Sequence, residues 1–585
     1  MMYGKIFLLA TIVCCLTGLH SYSQASDESE TNVQLPGHYI ALVEAGIERI
    51  ENKLDSFPEP TLALLEQGQP FGHFPHAILL PAVLYAKSHR LNKHFGDPKL
   101  LALAERIGDL LVSEYDKGKY SARNDTDWDT YMWLEAYRLL QNKLDEQRRE
   151  NWKRVLVKNL ELLEKLIVKY QDFPQYNAPF ITTSPNHYAI YASTLLVGGH
   201  VFNKKNWVTM STNVLHRFCV QEQTPDGYWG EHSKAGPTTG YDYVTSTQIA
   251  VYWEYSKDLA AIEALRKSKD FHKFFTYPDG TPVETINDRN RYWGVSMWGH
   301  FGFSHFPDGR RYASFLASFF PLHGDRASYG GDIQSLARIA QDFLYYHEGD
   351  KAAIPQESNY AHQMKITAGI RKTGSWVVTY SGIIAPIVSM NNFFLDRQAN
   401  FSVYNKKTGL IISGANSKHQ PELATFLETI GRDSIHMPVS SNLKMGEKDR
   451  LSLAYNVFFA DIDFYKPLTD KMEFKVETHY KLGKASADFN LQLVLKAGQV
   501  LETGTGKRII LGEDKVDLDD DELGGVIKHN GWTLHIPKGM HLTWPVYTYN
   551  PYKSSTENDL SHAVGRLFTS LEMKNQQFPF TIEVN

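Results

Sequence analysis

The spacing of apolar residues changes near the middle of the chain, and this change constrains the fold more than any other feature. From about Pro36 to Tyr346, apolar residues recur at helical spacing with charges between them. The clearest helical segments are Ala41–Leu54, Pro98–Tyr115, Asp145–Tyr170 and Asp242–Lys267. After about Gln356, β-branched and aromatic residues alternate or cluster between turn residues. The clearest strand segments are Ser375–Gly382, Phe401–Tyr404, Leu451–Phe459, Phe489–Leu495 and Trp532–Ile536.

These two patterns predict an α+β multidomain protein. Many paired helices over one half favour an N-terminal α/α toroid, an incomplete barrel, and the second half favours a C-terminal antiparallel β-sandwich. We expect the toroid, as the catalytic domain, over residues 24–350 and the sandwich over residues 351–585.

Residues 1–23 have the pattern of an export signal. Lys5 precedes the apolar run Ile6–Leu19, and small polar residues follow that run. The pattern predicts a secreted or periplasmic protein, and no other segment is long and apolar enough to span a bilayer.

Composition narrows the classes of partner. The 585 residues include 61 Lys+Arg against 66 Asp+Glu, and this balance without basic blocks argues against nucleic acid as a partner. Aromatic residues make up 13% of the chain, and because rings stack on sugar faces, this share points towards carbohydrate. Only Cys219 lies outside the signal segment, so we expect neither an internal disulfide nor a cysteine metal cluster.

Three loops of the helical half concentrate polar side chains among aromatic rings. The first is Ser184–Tyr188, before an apolar helix predicted at Ala189–Val197. The second is Asp226–Lys234, which leads through a Gly-Pro pair to Tyr241, and the third is Asn287–Trp293.

Motifs in these loops resemble those of known polysaccharide lyases. Asn186-His187 at a helix start, with Tyr241 following 54 positions after His187, resembles the α/α-toroid alginate lyases and the heparinase III group. Asp226-Gly227 followed by His232 and Tyr241, nine positions apart, resembles the chondroitin AC and hyaluronate lyases. Lys234 stands where the alginate lyases have Arg, so the resemblance implies the superfamily and no particular substrate.

The resemblance implies β-elimination on an anionic, uronic-acid-containing polysaccharide. Asn186, with His187 or Arg289, would hydrogen-bond the sugar carboxylate and stabilise the charge that develops. His187, His232 or Tyr241 would remove the proton next to that carboxylate, and Tyr241 would protonate the leaving oxygen. Which of these three residues is the base stays open.

Several further residues are candidates for substrate contacts. The unperturbed pKa of a tyrosine is about 10, so a tyrosine acting as a base near neutrality needs a nearby cation, and Lys234, Arg289 and Arg291 are the available cations for Tyr241. The expected substrate-binding residues are Lys234, Trp229, Glu231, Arg291, Trp128 and Trp293.

Each of these residues also has a structural interpretation. Asn is a favoured N-cap, so Asn186 could cap its helix, and Tyr241 could be a core ring. A glycoside hydrolase on the same scaffold would instead use a pair of carboxylates chosen from Asp127, Asp129 and Glu231. A non-catalytic glycan-binding protein is a third interpretation.

We expect no cofactor. A structural divalent metal in the sandwich, or beside the site through His300, His305 or His323, stays open because the spacing defines no ligand set. The substrate among alginate, glucuronan, ulvan and glycosaminoglycans, endo or exo cutting, and the oligomeric state are also open.

Overall fold

The structure is a computed structural model. It describes residues 34–68, 71–120, 127–231, 236–287, 294–320, 331–384, 400–414, 420–481, 486–549 and 559–585. Contacts between Cα atoms divide the chain into two compact units. The first comprises Met1–Gln223, Tyr241–Lys269 and Ser296–Ala352, and the second comprises Thr224–Gly240, Asp270–Val295 and Ala353–Asn585. The sequence places one boundary near residue 350, whereas the contacts also assign two earlier segments to the second unit.

Helices dominate the chain as far as Tyr345. They are α1 (Leu35–Asp55), α2 (Leu62–Leu65), α3 (Leu79–Ala86), α4 (Pro98–Asp116), α5 (Asp127–Leu140), α6 (Glu146–Tyr170), α7 (Ala178–Ile181), α8 (Pro185–Val201), α9 (Lys205–Arg217), α10 (Thr239–Ser256), α11 (Leu259–Phe274), α12 (Pro307–Ala317) and α13 (Ile333–Tyr345). Short 3₁₀ segments at Phe74–Ile78 and Phe301–His305 and a π turn at Phe218–Glu222 lie between them. Carboxylate caps begin α4, α6 and α13, where Asp97, Asp145 and Asp332 accept backbone N–H groups of the first turn.

The helices of the first unit form two layers. Helices α3, α5, α8, α10 and α13 are buried on nearly every side, and contacts join α13 to α3, α3 to α5 and α5 to α8. Ser193 of α8 donates to Gln248 of α10 at 2.6 Å, which places α10 beside α8. Helices α1, α4, α6 and α9 each pack one apolar face against these inner helices. This pairing of inner and outer helices is the arrangement predicted for the toroid.

The predicted helix at Asp242–Lys267 is two helices in the structure. Lys257 takes a left-handed conformation with φ of 55°, and Asp258 accepts the backbone N–H of Ala260 at 2.9 Å to begin α11. No glycine or proline marks this break, so the helical spacing runs through it undisturbed.

The rest of the chain folds as antiparallel strands. They are β1 (Tyr360–Gln363), β2 (Ala368–Thr373), β3 (Trp376–Ser381), β4 (Phe401–Asn405), β5 (Gly409–Ser413), β6 (Phe426–Ile430), β7 (Asp433–Ile435), β8 (Ser440–Lys444), β9 (Asp449–Ala454), β10 (Phe458–Phe464), β11 (Lys471–Tyr480), β12 (Ser486–Leu493), β13 (Val500–Thr503), β14 (Arg508–Ile510), β15 (Val516–Leu518), β16 (Val526–His529), β17 (Trp532–His535), β18 (His541–Val546), β19 (Val564–Leu571) and β20 (Gln576–Val584), with helix α14 (Asp520–Leu523). One sheet has the order β1-β2-β3-β4-β5-β12-β19-β18-β15, with β6 beside β12 and β7 beside β6. The other has the order β14-β13-β16-β17-β20-β11-β10-β9-β8. The predicted strand at Leu451–Phe459 is the hairpin of β9 and β10, which pairs Ala454 with Phe459.

The two sheets share one core, which confirms the predicted β-sandwich. Phe401 of the first sheet and Phe474 of the second have ring centroids 5.4 Å apart, and Phe489 and Phe580 are 5.7 Å apart. Alternate residues of β11, such as Met472, Phe474 and Val476, enter this core, as expected for a sheet with one buried face.

The two early segments of the second unit pack on its first sheet. Tyr277 stacks on Tyr404 with ring centroids 4.9 Å apart, and Tyr228 and Phe271 belong to the same apolar cluster as Val377. Strand β3 is therefore buried on both faces, because one face meets the sandwich core and the other meets this cluster. Across the described residues, no helix combines the length and the apolarity that crossing a bilayer requires.

Candidate active site

The first turns of the inner helices meet at one end of the first unit. Trp128 of α5, Ile190 of α8 and Val244 of α10 form a buried cluster with Trp298, which we call the tryptophan cluster. These three helix residues lie within the first two turns of their helices. Helix N-termini carry partial positive charge and exposed N–H groups, so an end built from several of them favours an anionic ligand.

Asn186 is the second residue of α8, and its side chain is fully buried. Neither polar atom of its amide has a hydrogen-bond partner among the described residues. Ser184, not Asn186, occupies the N-cap position, so the interpretation of Asn186 as a cap does not hold. A buried amide without partners costs roughly 1–3 kcal/mol, which makes it an unusual choice for a purely structural position.

His187 and Tyr241 lie at the same end as Asn186. His187 follows Asn186 in the first turn of α8, and both it and Tyr241 are partly exposed. Tyr241 lies in the first turn of α10, three residues before Val244 of the tryptophan cluster. Residues three or four apart lie on the same face of a helix. Asn186 therefore shares a face of α8 with Ile190, and Tyr241 shares a face of α10 with Val244.

The neighbouring Tyr243 differs from Tyr241 in its surroundings. Its hydroxyl forms a hydrogen bond of 2.7 Å with that of Tyr312, and its ring is buried against His300 at 5.0 Å. Burial and then the Tyr312 hydroxyl raise the pKa of Tyr243 well above its ordinary value. This tyrosine is therefore a core residue with a satisfied hydroxyl.

The remaining predicted site residues either lie outside the described residues or belong to the second unit. His232, Lys234, Arg289, Arg291 and Trp293 lie outside the described residues. Trp229 and Glu231 are buried in the second unit, in the loop where the Asp226 carboxylate accepts the backbone N–H of Lys365 at 2.6 Å. The described members of the group are Trp128, Asn186, His187 and Tyr241.

The sequence interpretation missed Arg338, a buried arginine of α13. Its guanidinium carbon lies 3.8 Å from the ring centroid of Trp128 and 4.0 Å from that of Trp298. Both contacts are within cation–π range, so Trp128 is held by an arginine as well as by apolar neighbours. A charged residue in the apolar pattern of Ile333–Leu344 was the available signal.

Two histidines before α3 form a second group missed from the sequence, together with Asp129 of α5. His76 Nε2 is 2.8 Å from Asp129 Oδ1, and His73 Nδ1 is 3.9 Å from the same oxygen. His73 has left-handed backbone angles of φ 59° and ψ 44°. Glu66 lies close by, and burial together with the charge of Asp129 raises its pKa to about 7. Asp129, a candidate acid of the hydrolase interpretation, is thus already paired with a histidine.

The two described histidines considered for a metal, His300 and His305, have different partners. His300 is buried against Tyr243, and His323 lies outside the described residues. His305 belongs to a different group, in which its Nε2 lies 2.9 Å and that of His347 lies 3.0 Å from Glu254 Oε1.

Comparison with known proteins identifies the fold. Neither models of protein families nor the sequences of curated proteins match this chain. Among solved structures, a chondroitin AC lyase of Streptomyces coelicolor A3, in complex with chondroitin sulphate, has a TM-score of 0.52 at 12% identity over 97% of this chain and 80% of its own. A Paenibacillus xanthan lyase has a TM-score of 0.53 at 10% identity, over 94% of this chain and 57% of its own.

A further chondroitinase AC lyase, from a study of enzyme–oligosaccharide complexes, has a TM-score of 0.51 at 11% identity. That likeness covers 95% of this chain and 83% of the other. Identities this low establish the fold alone. The helical half followed by a β-sandwich is the fold of the α/α-toroid polysaccharide lyases, as the sequence motifs predicted.

Proposed function

We propose that the protein is an exported lyase that cleaves a uronic-acid polysaccharide by β-elimination. The observation that carries this proposal is Asn186, a fully buried amide whose polar atoms have no partner among the described residues. It lies where the first turns of the inner helices meet, an end suited to an anion.

Asn186 would bind the carboxylate of the sugar that loses its proton. Abstraction of that proton places further negative charge beside an ionised carboxylate, and an amide N–H aimed at it lowers the barrier. Loss of one such donor typically costs about 10²–10³ in rate. Because Asn186 is fully covered in this structure, the groups over it must move aside when substrate binds.

Tyr241 would donate the proton to the leaving oxygen, and His187 is the described candidate for the base. Both side chains are partly exposed at the end of the helices where Asn186 lies, so both are reachable from solvent. His232 and Tyr241 itself stay alternatives for the base. General acid–base steps of this kind contribute about 10²–10⁴ each.

The test is a screen of the purified protein against alginate, glucuronan, ulvan, chondroitin sulphate and heparan sulphate. We expect ultraviolet absorbance of an unsaturated product on at least one polymer, and a loss of about 10²–10⁴ in kcat for Tyr241→Phe. The matched control is Tyr243→Phe, which removes the same atom two residues away, from a hydroxyl bound to Tyr312.

Release of reducing ends without the unsaturated product would contradict the proposal and favour the hydrolase. Saturable binding without any cleavage would favour the glycan-binding protein. If Tyr241→Phe and Tyr243→Phe were equally active, the assignment of Tyr241 as the acid would be wrong.

A further inference from the structure

His73, His76 and Asp129 have the separations of a metal-ligand set. Each offers one ligand atom, and these atoms all lie within 4.8 Å of one another. A tetrahedral zinc ion with bonds of about 2.0–2.2 Å holds neighbouring ligand atoms about 3.4 Å apart. The distances of 2.8 Å and 3.9 Å from Asp129 Oδ1 to His76 Nε2 and His73 Nδ1 lie on either side of that value.

We propose that these three residues bind one divalent transition-metal ion, with Zn²⁺ as the defining case. Two imidazole nitrogens and a carboxylate suit zinc and its first-row neighbours, whereas Ca²⁺ and Mg²⁺ prefer oxygen ligands throughout. Three protein ligands leave a tetrahedral ion one open position, which is the pattern of zinc sites that bind a further ligand.

The conformation of His73 supports this assignment over a simple pair of His76 and Asp129. That pair is complete at 2.8 Å without any contribution from His73. His73 nevertheless adopts left-handed backbone angles, which typically cost a residue other than glycine about 1 kcal/mol or more, and this turn brings its Nδ1 to the same carboxylate oxygen. A metal ion shared by His73, His76 and Asp129 would explain why His73 adopts this conformation.

Burial also suits this position to a bound ion. The side chains of His76 and Asp129 are 0% and 6% exposed, whereas that of His73 is 32% exposed. Two ligands are thus fixed inside the unit while the third leaves a route for the ion from solvent. The carboxylate of Glu66 accepts the backbone N–H of Phe74, the residue after His73, at 3.1 Å and so helps to hold the turn that carries His73.

The group of Glu254, His305 and His347 serves as the matched comparison. It also has two histidines and one carboxylate within the same distance. There the Lys257 ammonium already lies 2.8 Å from Glu254, so the carboxylate is offset without a metal. We therefore expect the ion at the His73 group and none at the Glu254 group.

The test is titration calorimetry of the full chain with Zn²⁺ after removal of metal by a chelator. We expect one Zn²⁺ per chain, and an affinity lower by at least about 100-fold in His73→Asn. Asparagine tolerates left-handed backbone angles, so this variant removes the imidazole without straining the turn. In the control His347→Asn, the affinity should equal that of the unmodified protein.

A second readout does not depend on affinity. Co²⁺ in a tetrahedral site with nitrogen ligands gives visible absorption bands, which we expect in the unmodified protein and in His347→Asn but not in His73→Asn. Circular dichroism of the metal-free variants checks that each is folded. No saturable Zn²⁺ binding, or equal binding and equal Co²⁺ spectra in His73→Asn and the unmodified protein, would overturn the proposal. Neither readout depends on the lyase activity.

Discussion

Buried polar side chains differ in their hydrogen-bond partners between the two ends of the inner helices. At the end where these helices begin, Asn186 is buried without a partner among the described residues and His73 holds a strained backbone. Towards the other end, Glu135 of α5 accepts hydrogen bonds from Tyr131, Arg138 and Tyr345 at 3.1, 2.6 and 2.5 Å. Polar groups that find partners stabilise the unit, and those left without partners are the ones available to a ligand.

Helix electrostatics explain this division. A helix C-terminus carries partial negative charge, so a carboxylate in its last turns needs cations or donors close by. Arg138 supplies one for Glu135, and Lys257 supplies one for Glu254. The N-terminal end carries partial positive charge, which a bound anion would offset.

Among changes at the N-terminal end other than at the proposed acid Tyr241, the largest expected effect is that of Asn186→Ala. We expect kcat on the polysaccharide identified by the screen to fall by about 10²–10³, because a donor to the sugar carboxylate is lost. We expect the free energy of unfolding to stay the same or rise, because the change removes a buried polar group that has no hydrogen-bond partner to lose among the described residues. Initial rates and urea unfolding of the same preparations check both statements.

Asn159→Ala is the matched control for Asn186→Ala. Asn159 is equally buried, but it donates to Thr130 at 3.3 Å. Its loss should lower the free energy of unfolding by about 1 kcal/mol and leave kcat unchanged. If both variants lost stability to the same extent and neither lost activity, Asn186 would not support the contrast between the two ends.

At the opposite end, Glu135→Ala should act on stability alone. The change leaves the Arg138 guanidinium without its partner at 2.6 Å, and removing one member of a buried ion pair typically costs 3–5 kcal/mol. Arg138 is 28% exposed and can be hydrated in part, so we expect about 3 kcal/mol, measured by urea unfolding. The folded protein should keep the kcat of the unmodified chain, and a specific loss of kcat without loss of stability would contradict the comparison.

How well the bounds of a helix can be predicted from sequence depends on how much of its surface is buried. Outer helices such as α4 and α6 bury one face and show a clear stripe, and the bounds of these two were predicted to within one residue. Helix α1 begins at Leu35, six residues before the predicted Ala41. Inner helices such as α8 and α10 are buried around most of their surface, and α10 buries several polar residues, so the spacing of apolar residues weakens as a guide. The break at Lys257 was missed because a left-handed lysine leaves no signal in composition.

The candidate site was predictable where its residues belong to a recognisable motif. Asn186 and His187 form a motif at a helix start, and Tyr241 follows His187 by 54 positions, at the spacing on which the resemblance rests. His76 and Arg338 acquire their roles from partners on α5, which tertiary packing alone brings to them. No motif in the sequence connects these two residues with α5.

The smallest expected effect concerns Glu254 and appears as a dependence of stability on pH. Burial raises the pKa of Glu254, but hydrogen bonds from His305, His347 and Lys257 outweigh it and hold the pKa well below the usual 4.5. A carboxyl whose folded pKa is depressed stabilises the fold fully above its unfolded pKa, and this contribution is lost as the pH falls through and below about 4.5. Urea unfolding between pH 6 and pH 3 should therefore show a smaller loss of stability on acidification in Glu254→Gln than in the unmodified protein.

Glu263→Gln on α11 is the control for this effect. Glu263 also pairs with a cationic side chain, that of Arg266 at 2.6 Å, but both side chains of this pair are nearly half exposed. Exposed pairs contribute only about 0–1 kcal/mol, so this variant should follow the unmodified protein across the same pH range. Equal curves for all three proteins would mean that the Glu254 group is no more coupled to folding than a surface pair. The contrast between a satisfied and an unsatisfied end would then rest on Glu135 alone.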